Sequence, residues 1–266
     1  MKILVPTDLS DNARNALQFA KSYAANQDAT VTLLYAYYAV YDFAAQAAEI
    51  IAAIEKDAKA ALKKEIRESG EGIAIDYKIV QGTISTAINA TVLAGDYDMI
   101  IMGTQGASGI KKTLMGSNTA TVIKECEVPV IAVPAQATFA GVEKIIVAVE
   151  LNNEDEKLFE KFMKLTESWN LPYTVLHVEN KHDFNKDISF KGLKDFLSET
   201  YPDCEFDFVK VQAKEFEEGT NTYLRDHPNS MLVMLSKNKT FFEFLFNKSQ
   251  SVEFAYHTHV PLLIVK

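Results

Sequence analysis

The sequence predicts an α/β protein of two tandem doubly wound domains, each a mostly parallel five-stranded sheet with helices on both faces. Three observations carry this. Short continuous apolar runs, such as Ile3-Leu4-Val5 and Met99-Ile100-Ile101-Met102, alternate with longer segments whose apolar residues recur at helical spacing. Strands buried on both faces need such unbroken runs, whereas half-exposed strands alternate apolar and polar residues. After the small-residue stretch 134–141 the same order of runs begins again.

The elements follow in order. Ile3-Leu4-Val5 is the first strand, and Pro6-Thr7-Asp8-Leu9-Ser10 ends it and supplies side chains that cap a helix. From Asp11 the residues Ala13, Ala16, Leu17 and Ala20 keep helical spacing to about Ala25. Thr30 to Ala36, rich in β-branched residues, is the second strand, and an Ala-rich second helix runs from Phe43 to Glu68. Tyr37, Tyr38, Tyr41 and Phe43 are expected to pack that helix. Ile73 to Val80 is the third strand, closed by Gly82, and a short helix covers Ser85 to Ala94. The fourth strand, Asp98 to Met102, leads into a glycine-rich loop, after which Ser117 to Glu125 form a helix and Val128 to Val133 a fifth strand. The expected domains are therefore 1–138 and 142–266.

The loop carries the chemistry. Gly103-Thr104-Gln105-Gly106 follows an apolar strand, and nine residues later Gly116-Ser117-Asn118-Thr119 opens a helical pattern. Glycines let backbone approach an anion closely, and Ser117 and Thr119 place hydroxyls where a helix N-terminus already presents unpaired N–H groups. A phosphate-binding loop and a plain tight turn are both open on the glycines alone. A Walker A loop is excluded, because no Lys follows Gly109 or Gly116 in the required register. The dinucleotide fingerprint is absent after the first strand. In a doubly wound sheet, Asp8 after the first strand and Gly103 after the fourth share one rim.

Composition narrows the partners. Hydrophobic residues make up 48% and charged residues 24%, the balance of a globular chain, and the formal net charge is −9. That charge disfavours a nucleic acid or an anionic membrane as partner, and no apolar stretch is long enough to span a bilayer. Met1-Lys2 runs directly into a strand, so no signal peptide is expected and the compartment is the cytoplasm. Cys126 and Cys204 stand apart in no metal-binding spacing and read as buried or partly buried thiols. His257 and His259, at a predicted helix end with no acidic or cysteine cluster nearby, read as structural.

The spacing Gly103-x2-Gly106-x9-Gly116-Ser117, with the opening Pro6-Thr7-Asp8 and the closing Val128-Pro129-Val130, resembles the universal stress protein family. The resemblance covers both halves and implies the adenine nucleotide alpha hydrolase-like fold, with ATP, or AMP or ADP, as ligand. By that similarity Asp8 and the backbone around Ala36 hold the adenine, and Pro6 and Thr7 belong to the same nucleotide site. Met102, Gly103, Gln105, Gly106, Gly116, Ser117, Asn118 and Thr119 surround the ribose and phosphates, with magnesium bridging phosphate oxygens and hydroxyls. The family also pairs through its fifth strand, so 128–133 and 260–265 would make a pseudo-dimer within the chain, open to further self-association or a protein partner. One departure stands out: Leu34-Tyr35-Ala36 replaces the family's common Leu-His-Val, which changes the wall of the adenine pocket, while Leu176-His177-Val178 keeps that wording in the second half.

From Met102 to Val133 the second half repeats the first at an offset of 132 residues, so Gly103, Gly106 and Gly116 become Leu235, Asn238 and Lys248, and Ser249 alone survives opposite Ser117. Asp8 corresponds to Glu150. One nucleotide site per chain is expected. Asp8 is open to a base contact or to capping the first helix. Lys111 and Lys112 are open to a phosphate or to solvent. Phe241, Phe242, Phe244 and Phe246, at the place of the lost loop, fill the vacated cleft, form a protein-binding patch or join the core. Three functions remain: an ATP-binding stress or signalling regulator, a slow ATPase or adenylate-handling enzyme, and a nucleotide-free interaction module. No residue is placed as a general base for water, so fast hydrolysis is not expected.

Overall fold

A computed structural model of the chain describes residues 1–38, 44–105, 116–151, 156–235 and 260–266. It divides into two compact units, Met1–Phe139 and Ala140–Lys266. The first holds β1 (Lys2–Thr7), α1 (Asp11–Gln27), β2 (Thr30–Tyr37), α2 (Ala44–Glu68), β3 (Ile75–Gln81), α3 (Ile84–Gly95), β4 (Met99–Gly103), α4 (Ser117–Glu125) and β5 (Val130–Val133).

Its strands lie in the order β3-β2-β1-β4-β5, and the pairs are parallel. Right-handed crossovers fix the rest. The chain steps outward from β1 to β3 through α1 and α2, then returns across β1 to β4 and β5 through α3 and α4. Reversing direction with the same hand puts α1 and α2 on one face and α3 and α4 on the other. Ile3, Leu4, Leu33, Ile100, Ile101, Val130 and Ile131 are wholly buried between those layers.

The helices begin where the sequence supplies caps. The Ser10 hydroxyl accepts from the Ala13 N–H at 3.2 Å and the Thr83 hydroxyl from Thr86 N–H at 3.3 Å, so α1 and α3 each start one residue after a hydroxyl side chain. Buried Lys21 closes the other end of α2, donating to the carbonyls of Ser69 at 2.5 Å, Gly70 at 2.8 Å and Glu71 at 3.3 Å. Two strands start later than their apolar runs. Gly72 at φ +137° holds a turn that keeps Ile73 out of β3, and β5 begins at Val130, after Pro129, which has no N–H to give a ladder. Tyr37 packs on α2, its hydroxyl donating to Glu55 at 3.0 Å, but Tyr38 is exposed and does not. Tyr41 and Phe43 lie outside the described residues.

The stretch 134–141 is anchored rather than loose. Asn15 Nδ2 donates to the carbonyls of Pro134 and Ala137, each at 2.9 Å, and the Phe139 ring meets Phe19 and Tyr23 edge-on at 5.5 Å.

The second unit holds β6 (Lys144–Val149), α5 (Glu156–Thr166), β7 (Tyr173–Glu179), α6 (Phe184–Thr200), β8 (Phe206–Gln212), α7 (Phe216–Asp226), β9 (Ser230–Leu235) and β10 (Leu262–Val265), with strand order β8-β7-β6-β9-β10 and parallel pairs. Its registers repeat those of the first unit. Ile100↔Val130 becomes Leu232↔Leu262, and Thr7↔Tyr35 becomes Val149↔His177. Even the unusual backbone recurs: Leu9 at φ +63° matches Leu151 at +61°, and Asp28 at +47° matches Asn170 at +52°. Leucine rarely adopts a left-handed conformation, so its presence at both strand-to-helix turns marks a shared turn rather than chance. Cys126 is buried, its thiol donating to Asn89 Oδ1 at 2.8 Å, and Cys204 is partly buried; neither forms a disulfide.

Candidate functional site

The direction of winding reverses between β1 and β4. There the register comprises Ile3↔Met99 and Leu4↔Ile100, whereas β1 follows β2 from Lys2↔Thr30 to Thr7↔Tyr35. The carboxyl ends of β1 and β4 are thereby free to part, which is where a doubly wound sheet opens a crevice.

A cavity of about 260 Å³ lies at this rim. Pro6, Thr7, Asp8, Ala36, Met102, Gly103, Gln105, Gly116, Ser117, Asn118 and Thr119, all singled out from the sequence, line it together. Gly106, Lys111 and Lys112 lie outside the described residues. Ala13, Tyr35 and Ile84 are the other described residues of the wall. Ala13 and Ile84 are first-turn residues of α1 and α3, whose N-termini point to the rim, so a residue just past each cap was the available signal. Tyr35 sits opposite Thr7 in the parallel register.

The β1 end is tied by short local bonds. Thr7 Oγ1 accepts from Leu9 N–H at 3.0 Å and donates to Glu65 Oε1 at 3.4 Å, while Asp8 Oδ1 accepts from Ser10 N–H at 3.1 Å. Asp8 thus shapes the turn into α1, and the helix cap itself is Ser10. Burial pushes the Glu65 carboxyl up, against the pull of Arg14, whose Nε lies 3.7 Å away, and of the Thr7 hydroxyl.

The β4 end is tied through Gly103 and Thr104. Thr119 Oγ1 donates to the Gly103 carbonyl at 2.8 Å, Gly116 N–H to the Thr104 carbonyl at 2.6 Å, and Thr104 N–H to the Val133 carbonyl at 3.0 Å. Gly116 is the N-cap of α4 and has no side chain to occupy the first-turn N–H groups, while Ser117 and Asn118 are exposed there. These groups can receive an oxyanion. On the α1 side, the amide of buried Asn12 packs against Gly103: a Cβ there would stand 1.9 Å from Asn12 Oδ1. Both polar atoms of that amide are buried without a hydrogen-bond partner.

The described wall has an apolar end at Pro6, Tyr35, Ala36 and Ile84 and a polar end at Gly103, Gly116, Ser117 and Asn118. Asp8 is its one carboxylate, and among the described lining residues there is no Lys or Arg. The cavity can therefore hold a flat apolar group beside an oxygen-rich one through neutral donors.

The second unit differs at the same rim. Leu235, 1% exposed, ends β9 where Gly103 ends β4. His177 stands in register where Tyr35 does, with Nδ1 bonded to the Val149 carbonyl at 3.0 Å, and burial pushes its imidazole pKa down. Asn238, Phe241, Phe242, Phe244, Phe246, Lys248, Ser249, His257 and His259 lie outside the described residues. Glu179, His182 and Asp187 bring ligand-type atoms within 4.8 Å of one another, yet their oxygens are already engaged. Lys210 donates to Asp187 and holds its carboxyl below the usual range, and Gln212 Nε2 donates to Glu179 at 2.6 Å.

Comparison with known proteins gives the context. The profile of the universal stress protein family matches residues 1–134. A universal stress protein of Methanocaldococcus jannaschii is 32% identical over 138 residues, covering 50% of this chain and 81% of its own length. One of Thermus aquaticus is 28% identical over 137 residues, covering 49% of this chain and 96% of its own. The crystal structure of a universal stress protein from Archaeoglobus fulgidus superposes with a TM-score of 0.74, covering 100% of this chain and 98% of that one at 17% identity, which speaks to the fold. With the family profile on the first half and the same strand registers in the second, the chain belongs to the universal stress protein family and carries its fold twice.

Proposed function

We propose that the first unit binds one adenine nucleotide, ATP or its mono- or diphosphate, and that the chain is a cytoplasmic stress or signalling regulator responding to that ligand. The observation that carries this is the convergence of eleven residues, from Pro6 to Thr119, on one cavity at the switch point of the sheet. The base would lie at the apolar end, near Tyr35, Ala36 and Ile84. The phosphates would lie over Gly103 and the first turn of α4, where backbone N–H groups and the Ser117 hydroxyl serve as donors.

Charge shapes the form of the ligand. Asp8 is the wall's carboxylate, so a triphosphate would enter with magnesium to offset its own charge, and the Ser117 hydroxyl would be available to help hold the ion. That carboxylate already accepts from Ser10 N–H, which suits it to a structural and binding role rather than to activating water. The second unit, with Leu235 in place of Gly103, would take no nucleotide and would serve as a partner domain. We also propose that β5 and β10 pair as edges within the chain, as a pseudo-dimer.

The test is to purify the full chain without added nucleotide, denature it, and identify what is released by chromatography and mass spectrometry. Release of about one adenine nucleotide per chain, absent from a Gly116→Val variant, is the expected result. A protein that releases none and fails to take up added ATP would overturn the reading.

A further inference from the structure

Glu65 is a buried carboxylate that does not line the cavity but is bonded to a residue that does. It stands on α2, 5% exposed, and accepts from the Thr7 hydroxyl at 3.4 Å, while Arg14 Nε lies 3.7 Å from its other oxygen. The same Thr7 oxygen accepts from Leu9 N–H at 3.0 Å, in the turn whose Leu9 is left-handed and whose Asp8 lines the cavity. A line of hydrogen bonds therefore runs from α2 through Thr7 into the turn that presents Asp8.

The second unit forms the same turn without this arrangement. The spacing that sets Leu9 against Leu151 and Asp28 against Asn170 also sets Thr7 against Val149 and Arg14 against Glu156. Glu65 and Leu197 each stand three residues before the last residue of their helix, and each carbonyl accepts from the first N–H beyond it, that of Ser69 at 2.8 Å and of Tyr201 at 3.0 Å. Val149 and Leu197 are both buried, and Leu151 is left-handed all the same. Hydroxyl, carboxylate and guanidinium are thus present together in the unit with the cavity, and replaced together in the unit where Leu235 stands for Gly103. Burial pushes the Glu65 carboxyl up in pKa, so its charge is held at a cost to the fold, which a buried apolar pair avoids. A role in the site accounts for keeping it.

Resting on the nucleotide reading above, we infer that Glu65 is a positioning residue for the base end of the nucleotide site, holding through its bond to Thr7 the turn on which Asp8 meets the ligand. Thr7 follows Pro6 and stands opposite Tyr35, at the apolar end of the wall, so the effect falls on the base and not on the phosphates. Arg14 offsets the buried charge, and Asp8 and Glu68 are the carboxylates that oppose it.

The experiment uses the full chain. Kd values for ATP and AMP by isothermal titration, and unfolding midpoints without nucleotide, are measured for the wild type, Glu65→Leu, Glu65→Gln and the double variant Thr7→Val/Glu65→Leu. Glu65→Leu is expected to lose about tenfold in affinity, by the same factor for ATP and AMP, as for one hydrogen bond lost at a buried site. The double variant should lose no less, yet unfold no lower than the wild type, since it exchanges a buried polar pair for the apolar pair of the second unit. Glu65→Gln keeps an oxygen that accepts from Thr7 and should recover affinity to within about threefold of the wild type. The double variant and Glu65→Gln carry the test if Glu65→Leu does not fold. Wild-type affinity in the double variant, a loss in Glu65→Gln equal to that in the double variant, or a loss much larger for ATP than for AMP, would overturn the inference and leave the nucleotide reading intact. A wild type that binds neither nucleotide would instead overturn the nucleotide reading, and this inference with it.

Discussion

A Cβ at residue 103 would stand 1.9 Å from Asn12 Oδ1, closer than any unstrained contact. Gly103→Ala should therefore destabilise the chain by about 1–3 kcal/mol, read from urea unfolding, and Asn12→Ala in that background should recover at least half of the loss. Simple additivity of the two changes would refute the contact. His177 gives a second residue-scale outcome. Its pKa is lowered by burial in the folded state, so between that value and the unfolded value near 6.5 the unfolded chain binds more protons. Stability contributed by the neutral ring is complete above about pH 6.5 and falls as pH drops through the window. Unfolding midpoints from pH 7.5 to 5 should decline more steeply in the wild type than in His177→Gln. Gly103 was legible in the sequence because a glycine after an apolar strand is a recognisable signal. Asn12 was not, since a polar residue in the first turn of a helix reads as solvated, and only the approach of β4 buries it.

Elements were legible where a local cause sets their ends. The capping side chains after β1 placed the start of α1, and Ser117–Glu125 is a helix as the glycine pattern indicates, whereas α3 begins at Ile84, one residue before its expected start, because Thr83 caps it. Contacts distant in sequence were not legible. Lys21 on α1 reads as a surface lysine, yet it bonds three carbonyls beyond the C-terminus of α2. Lys21→Met should cost about 2–3 kcal/mol in unfolding free energy, as expected for charged hydrogen bonds lost at a buried site, and an effect below about 0.5 kcal/mol would contradict the cap. Likewise 134–141 has the small residues of a free linker, but Asn15 clamps two of its carbonyls. Asn15→Ala should speed limited proteolysis within 134–141 without altering the far-ultraviolet spectrum; an unchanged cleavage rate would show that the aromatic contacts of Phe139 suffice.

At the scale of the whole molecule, two copies of one fold have diverged in what their rims can accept. The repeated Leu9 and Leu151 turns and the shared registers preserve the scaffold, while Gly103 against Leu235 changes the site. Sequence alone carried the duplication, because strand runs and the Val-Pro pair recur at fixed spacing. It could not carry the cavity wall at Ala13 and Ile84, which only the fold brings beside Gly103. Among the described residues no helix is long and apolar enough to cross a membrane. If the edges of β5 and β10 pair within the chain, sedimentation should give a species of 29.7 kDa at micromolar concentration, and an obligate dimer would argue for pairing between chains instead. Titrating ATP and AMP into the full chain and its Gly116→Val variant shows whether one nucleotide site exists and lies in the first unit. A stoichiometry of about one that disappears in the variant is the expected result. A stoichiometry of about two, or binding that survives Gly116→Val, would contradict it.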